Sequence, residues 1–228
     1  MTTISHKTFR KSISAEEISI VVARQINNMV PDISQVTNHD LLPYAEIAFK
    51  RLFNCFKGIN NKYYGQGNEV NFDHLHSDHY CSFLYLACNA AYQDKAINLA
   101  TKLFLLNKYL HGLDLYFSVL LPEVFMLVHP VGSVVGNAQY SNKIVIYQNC
   151  SIGSVVKDGN YTYPKFGENI VLYSRTSVIG QCTIGNNVIA GANSFIINSD
   201  IPDNCLVTGS SPNLVISPKP LINIHFFH

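Results

Sequence analysis

Residues 166–197 read FGENIVLYSRTSVIGQCTIGNNVIAGANSFII. Every sixth residue from Phe166 is apolar: Phe166, Leu172, Val178, Ile184, Ala190 and Ile196. Glycine follows several of them, as in Phe166-Gly167, Ile184-Gly185 and Ala190-Gly191. The residue four after each is compact: Ile170, Thr176, Cys182, Val188 and Ser194. A period of six fits neither an α-helix nor a two-faced strand, but it is the signature of a hexapeptide β-helix, in which each coil covers the apolar side chains of the last.

Working outward, Leu115, Leu121 and Leu127 are also six apart, as are Tyr140, Ile146 and Ile152. The β-helix therefore extends back to Asp114, with irregular opening coils. Between Gly153 and Lys165 the period breaks at SVVKDGNYTYPK, an insertion expected to project as a loop. The segment IPDNCLVTGSSPNLVISPKP reads as an extended exit strand, and the tail LINIHFFH as packing on a neighbouring chain.

Upstream the period changes to that of helices. Ser14 and Glu17 form a capping box before a helix carrying Ile18, Val21, Val22, Ile26 and Met29, which stops ahead of Pro31. A second helix over about 39–57 buries Leu42, Ala45, Phe49, Leu52, Phe53 and Phe56, and Gly58 ends it. Residues 1–12 read as frayed and 58–72 as a loop. Ser77 or Asp78 caps a third helix running to about Tyr92. A fourth, from about Asp94 to Gly112, presents Leu99, Leu103, Phe104 and Leu106. The organisation is a helical domain over 1–112, a β-helix over 113–217 and a tail over 218–228.

Of 228 residues, 47% are hydrophobic and 14% charged, which allows a sizeable core and argues against disorder. A net charge of +1 gives no general reason to expect nucleic acid or a membrane surface as partner. The six cysteines lack CxxC spacing and read as reduced thiols of a cytoplasmic protein. The N-terminus has no signal-peptide apolar run, and the segment from Leu113 to Val128 is interrupted by Asp114, Pro122 and Glu123, so no membrane span is expected.

The repeat, the helical preface and the segments MLVHPVGSVVG, IVIYQNCSIG, TYPKFG, IGNNVIAGANSFII and VTGSSPNL together resemble the serine acetyltransferase branch of the hexapeptide-repeat acyltransferases. The resemblance covers about residues 75–218. It implies a left-handed parallel β-helix, a homotrimer with the dimer of trimers left open, and acetyl-CoA bound between adjacent subunits as co-substrate, with no metal. It places the catalytic base at His129 and its orienting carboxylate at Asp114, fifteen residues upstream. A neutral imidazole can take a hydroxyl proton near pH 7, and a carboxylate on its other nitrogen fixes the tautomer. Without the resemblance, His129 before Pro130 would equally read as a coil-corner residue. The resemblance further implies Ser174, Gly191, Ala192 and Gly209 along the cofactor, with Lys219 and Lys165 meeting its phosphates. It places Asp78 in the acceptor pocket.

The departures bear on the acceptor. Where the family carries an Asp ahead of the catalytic His, this chain has Val128; where it carries Arg and His in the loop before a Pro, this chain has Thr162 and Tyr163. A free amino acid brings an ammonium and a carboxylate that need charged partners once desolvated. The remaining set, including Tyr147, Gln148, Asn160, Thr162 and Tyr163, is neutral, which favours a sugar hydroxyl of a bacterial surface polysaccharide or its precursor. The alternatives are a serine O-acetyltransferase of cysteine biosynthesis and a structural trimer without catalysis.

Three further features compete. His74-Leu75-His76-Ser77-Asp78-His79 matches the HxHxDH zinc run of the metallo-β-lactamase fold, but a polar loop precedes it and a helical run follows, so no metal is expected. Glu123, six residues before His129, reads either as polarising the imidazole or as a solvated coil-edge residue. The run Tyr161-Thr162-Tyr163-Pro164 reads equally as a sugar-stacking platform or as loop packing.

Overall fold

The computed structural model describes residues 7–218 and 225–228. They divide into two compact units. One holds the chain up to Tyr109 together with His225–His228, and the other runs from Leu110.

The first unit is built on four helices: α1 (Ala15–Met29), α2 (Asn38–Phe56), α3 (Ser77–Gln93) and α4 (Ile97–His111). Capping boxes open α1 at Ser14–Glu17 and α2 at Thr37–Asp40. α3 is buried almost continuously from Asp78 to Ala91, as expected of a central helix with neighbours on all sides. Phe49 touches the rings of Phe72 and Phe83 at 5.1 and 5.2 Å, filling the space between α2 and α3.

Several expectations are corrected here. Thr8–Lys11 is not frayed: it pairs in parallel with Glu69–Phe72, which also pairs with Gly65–Gln66, so 58–72 contains two strands. Neither Ser77 nor Asp78 caps α3; the cap position is His76, which makes no side-chain cap hydrogen bond. The fourth helix begins at Ile97 rather than Asp94, because Lys95 takes a left-handed φ of 65° that helix geometry forbids. Met29 is exposed at the end of its helix. The tail turns back on its own chain: Asn60 N–H donates to Phe226 O at 2.7 Å and His228 N–H to Gly58 O at 3.0 Å.

The second unit is a β-helix of three walls. The first stacks Phe125–Leu127, Ile144–Ile146, Ile170–Leu172, Val188–Ala190 and the start of Cys205–Ser210, all in parallel. The second stacks Val134–Val135, Ser151–Gly153, Ser177–Ile179 and Phe195–Ile197. The third stacks Gln139–Tyr140, Lys165–Phe166 and Thr183–Ile184. All six residues of the opening period are buried, and so are the five compact residues between them. Residues six apart lie on successive walls and residues eighteen apart on successive coils: Phe166 sits on Ile184 in the third wall, and Val178 on Ile196 in the second.

The insertion after Gly153 forms an antiparallel hairpin, Val155–Lys157 with Asn160–Thr162, and its Val156 and Tyr161 are exposed. The exit segment is also a hairpin rather than a single strand, because Asn213–Pro218 folds back along Cys205–Ser210. Among the described residues, no helix is long and apolar enough to cross a membrane.

Candidate active site

The turn between the first and second walls differs from the other turns of the β-helix. Its residues at the second position past the wall are His129, Gln148, Ser174, Ala192 and Gly209, one per coil, following Leu127, Ile146, Leu172, Ala190 and Val207. His129, Gln148, Ser174, Ala192 and Gly209, five of the residues that the sequence proposed for the site, therefore share one edge, in layers about 4.8 Å apart.

His129 stands out within that edge. From Leu127 to Val135 the chain takes eight residues, whereas Ile146 to Ile152, Leu172 to Val178 and Ala190 to Ile196 take six each. The extra length is absorbed around His129, which has φ 47° and is exposed, and Val131 N–H closes the turn on His129 O at 2.7 Å. Histidine is among the few non-glycine types that tolerate this conformation. Gly132 has φ +73°, and a Cβ there would stand 2.4 Å from Asn149 Oδ1, so only glycine lets the longer turn lie on the next coil.

Asp114 opens the second wall. Its N–H donates to Ser133 O at 2.9 Å, and its own C=O accepts from Val135 at 2.8 Å. Gly132 N–H also donates to Gly112 O at 2.9 Å, so the strand of Asp114 is laced to the strand leaving the His129 turn. Leu113 and Leu115 are buried, which by strand alternation turns the half-buried Asp114 to the outer face.

The edge is also distinguished by what it leaves unpaired. At the other two edges, side-chain amide and carboxylate oxygens cap the turns: Glu168 N–H donates to Asn186 Oδ1, Asn186 N–H to Asp203 Oδ1, Gln181 N–H to Asn198 Oδ1 and Thr183 N–H to Asp200 Oδ1. At the His129 edge the backbone N–H groups of Gln148, Ser174 and Ala192 donate to nothing among the described residues. Unpaired donors on three consecutive coils form a track for an extended ligand carrying carbonyl oxygens. Small residues beside it, Ser174 and Ala192, leave the backbone open.

Not every proposed residue gains the role its size suggested. A Cβ on Gly191 would lie 2.7 Å from Thr208 Cγ2, so packing between coils already requires glycine there. Gly209 has φ +89° in the closing hairpin, which is a backbone requirement of its own. Tyr147 lies on the His129 edge with its ring 5.1 Å from that of Tyr173, and burial raises the pKa of its hydroxyl. Tyr163 does not: it follows the hairpin, between the second and third walls, and stacks with Tyr161 at 6.3 Å. Lys165 is exposed at the start of its strand in the third wall, and Glu123 is exposed. Asp78 is buried at the start of α3, in the helical unit. Lys219 lies outside the described residues.

The HxHxDH run does not converge. His74 Nδ1 meets Ser12 Oγ at 2.9 Å, whereas His79 Nδ1 accepts from Asp73 N–H at 3.2 Å and its ring stacks on His76 at 4.1 Å. Two surface hollows of about 590 and 650 Å³ lie wholly within the helical unit and include none of the proposed site residues.

No family model matches the chain. It is 26% identical over 145 residues to a serine acetyltransferase of Staphylococcus xylosus, covering 63% of this chain and 67% of that one. It is 28% identical over 135 residues to a serine acetyltransferase of Synechococcus elongatus, covering 57% and 55%. The alignments thus span about two thirds or less of these relatives' own length. Among solved structures, the serine acetyltransferase of Neisseria gonorrhoeae superposes with a TM-score of 0.67 at 20% identity, over 91% of this chain and 81% of that one. A serine acetyltransferase in complex with CoA gives 0.66 at 15% identity, over 88% and 83%. The shared architecture is a helical region followed by a parallel β-helix.

Proposed function

We propose that this chain, a distant relative of the serine acetyltransferases, is an acetyl-CoA-dependent O-acetyltransferase. The observation that carries this reading is the His129 edge: one lengthened turn bearing an exposed imidazole, followed by three coils with undonated N–H groups. In the reaction, His129 removes the proton of an acceptor hydroxyl, whose oxygen attacks the thioester carbonyl carbon. Asp114 holds the ring in the tautomer that can accept that proton and stabilises the imidazolium. The N–H groups of Ser174 and Ala192 hold the pantetheine carbonyls, so that the thioester reaches the His129 layer.

The similarity to serine acetyltransferases supports free serine as acceptor over the sugar that the sequence favoured. One observation keeps a neutral acceptor as the second reading: Val128, Thr162 and Tyr163 supply no charge for an amino acid's ammonium or carboxylate. Tyr163 and His129 lie on different edges of the β-helix. A closed ring of three chains, with one protomer's hairpin edge against the next protomer's His129 edge, would bring both into one site.

Thiol release from acetyl-CoA, measured with L-serine, with a panel of sugars and with neither, tests the reading. Release stimulated by serine assigns the first acceptor, and release stimulated only by a sugar assigns the second. Absence of both thiol release and CoA binding would leave the β-helix as a scaffold.

A further inference from the structure

We propose that Gln148 supplies the oxyanion donor of the transfer, its carboxamide Nε2–H directed at the thioester oxygen. The proposal rests on the acetyl-transfer reading above and adds the one group which that chemistry still lacks. Attack on the thioester moves the carbonyl π electrons onto oxygen, and a neutral N–H donor fixed at that point stabilises the charge.

Three observations converge on this residue. Gln148 stands at the same offset from its wall strand as His129 does, one coil further on, hence about 4.8 Å along the axis. Its turn is bonded to the His129 turn: Asn149 N–H donates to Val131 O at 2.9 Å, and Val131 N–H donates to His129 O at 2.7 Å. The carboxamide makes no hydrogen bond among the described residues, and Oε1 is buried without a donor. With the oxygen turned inward, the amino group is the end presented outward.

A buried amide oxygen left unmatched costs about 1–3 kcal/mol. Glutamine is the wrong residue for packing alone at such a place, since methionine fills the same volume without that cost. Apart from the backbone N–H of Gln148 itself, which Gln148→Met retains, the other free donors of the edge, at Ser174 and Ala192, are two and three layers from His129, about 10 and 14 Å by the same spacing. Only the Gln148 layer adjoins the base. In the balanced step the acceptor O–H proton passes to His129 as the C–O bond forms, and the oxyanion accepts from Gln148 Nε2. Collapse then breaks the C–S bond, and His129 returns its proton to the departing thiolate.

The test compares the parent chain with His129→Ala, Gln148→Met and Gln148→Glu, the last two keeping side-chain volume without an outward donor. Steady-state thiol release should show kcat lower by about 10²–10³-fold in both Gln148 variants. In Gln148→Met, KM for acetyl-CoA and acceptor should stay within about threefold, with an unchanged pH profile and CoA affinity by calorimetry equal to the parent's. In Gln148→Glu the new carboxylate beside His129 should in addition move the limb of the profile set by that base to higher pH. A Gln148→Met protein with kcat within about threefold of the parent, in a series where His129→Ala has lost activity, would overturn the proposal. So would a variant whose loss lies in acceptor KM with kcat intact, which marks a binding residue. A parent that releases no thiol with any acceptor refutes the acetyl-transfer reading itself, and this is read on the parent alone.

Discussion

His129, Gly191 and His79 show how much a single position can be held to. His129 is the exposed apex of a turn two residues longer than its counterparts, so truncating it removes an imidazole without opening a core. His129→Ala should lose about two to four decades of turnover in the thiol-release assay while thermal unfolding stays within a few degrees of the parent. Gly191 behaves oppositely. With Thr208 Cγ2 at 2.7 Å from any added Cβ, Gly191→Ala should cost about 1–3 kcal/mol in denaturant unfolding, and adding Thr208→Ser, which removes that methyl, should restore most of it. His79 governs a pH effect. Burial holds its pKa down to about 3, with the neighbouring His76 adding to the shift and Asp73 opposing it. The unfolded chain therefore binds a proton below its ordinary 6.5 that the folded chain does not take up until about 3. Stability should fall as pH drops through that interval, and His79→Phe should remove about one proton's worth of slope from urea midpoints measured between roughly pH 4 and 6.

At the scale of elements, the coil is the unit that the sequence states most clearly. Its inward positions must be apolar or compact at every turn, so Phe166, Leu172, Val178, Ile184, Ala190 and Ile196 announce themselves without any partner being known. The strand Thr8–Lys11 was not legible for the opposite reason: only Phe9 in TFRK is apolar, and its partner lies about 60 residues away. The uncapped N–H track was equally invisible, because a backbone donor has no residue identity; only the missing Asn and Asp caps one coil beyond each donor, at 174, 192 and 209, hint at it. At the edge between the third and first walls the caps form a ladder. Asn169 Nδ2 donates to Asn187 Oδ1 at 3.0 Å and Asn187 Nδ2 to Asn204 Oδ1 at 2.9 Å, all three residues having φ near 57°. Asn187→Ala should lower unfolding stability by about 2 kcal/mol, through two lost side-chain bonds and a φ that alanine resists. The hairpin 155–162 packs few inward residues, so replacing it with a two-residue turn should leave the unfolding midpoint nearly unchanged. If Tyr163 meets the acceptor across a protomer boundary, the same replacement, which takes away the Tyr161 ring stacked on it, should lower transfer.

For the whole molecule, the division into helical and β-helical units follows the change of period in the sequence, with the chain passing between them near Tyr109. The last four residues then rejoin the helical unit, where Phe227 bridges Ile59 over a buried side chain. Removing 225–228 should lower the helical unit's unfolding midpoint by a few degrees in calorimetry, leaving the β-helix transition in place. The assembly proposed for the site is tested by light scattering: a mass of three chains, or a multiple of three, is expected, and a monomer that retains turnover would detach Tyr163 from the acceptor. A wall assembled layer upon layer is graduated like a ruler. Each layer beyond His129 adds about 4.8 Å to the track, so on the proposed reading the reach from reacting carbon to nucleotide is set by a count of layers rather than by any side chain. On the acetyl-transfer reading, excising one eighteen-residue layer in register, so that Val171 is followed directly by Ala190, should suit the chain to a shorter thioester carrier while leaving His129 in place.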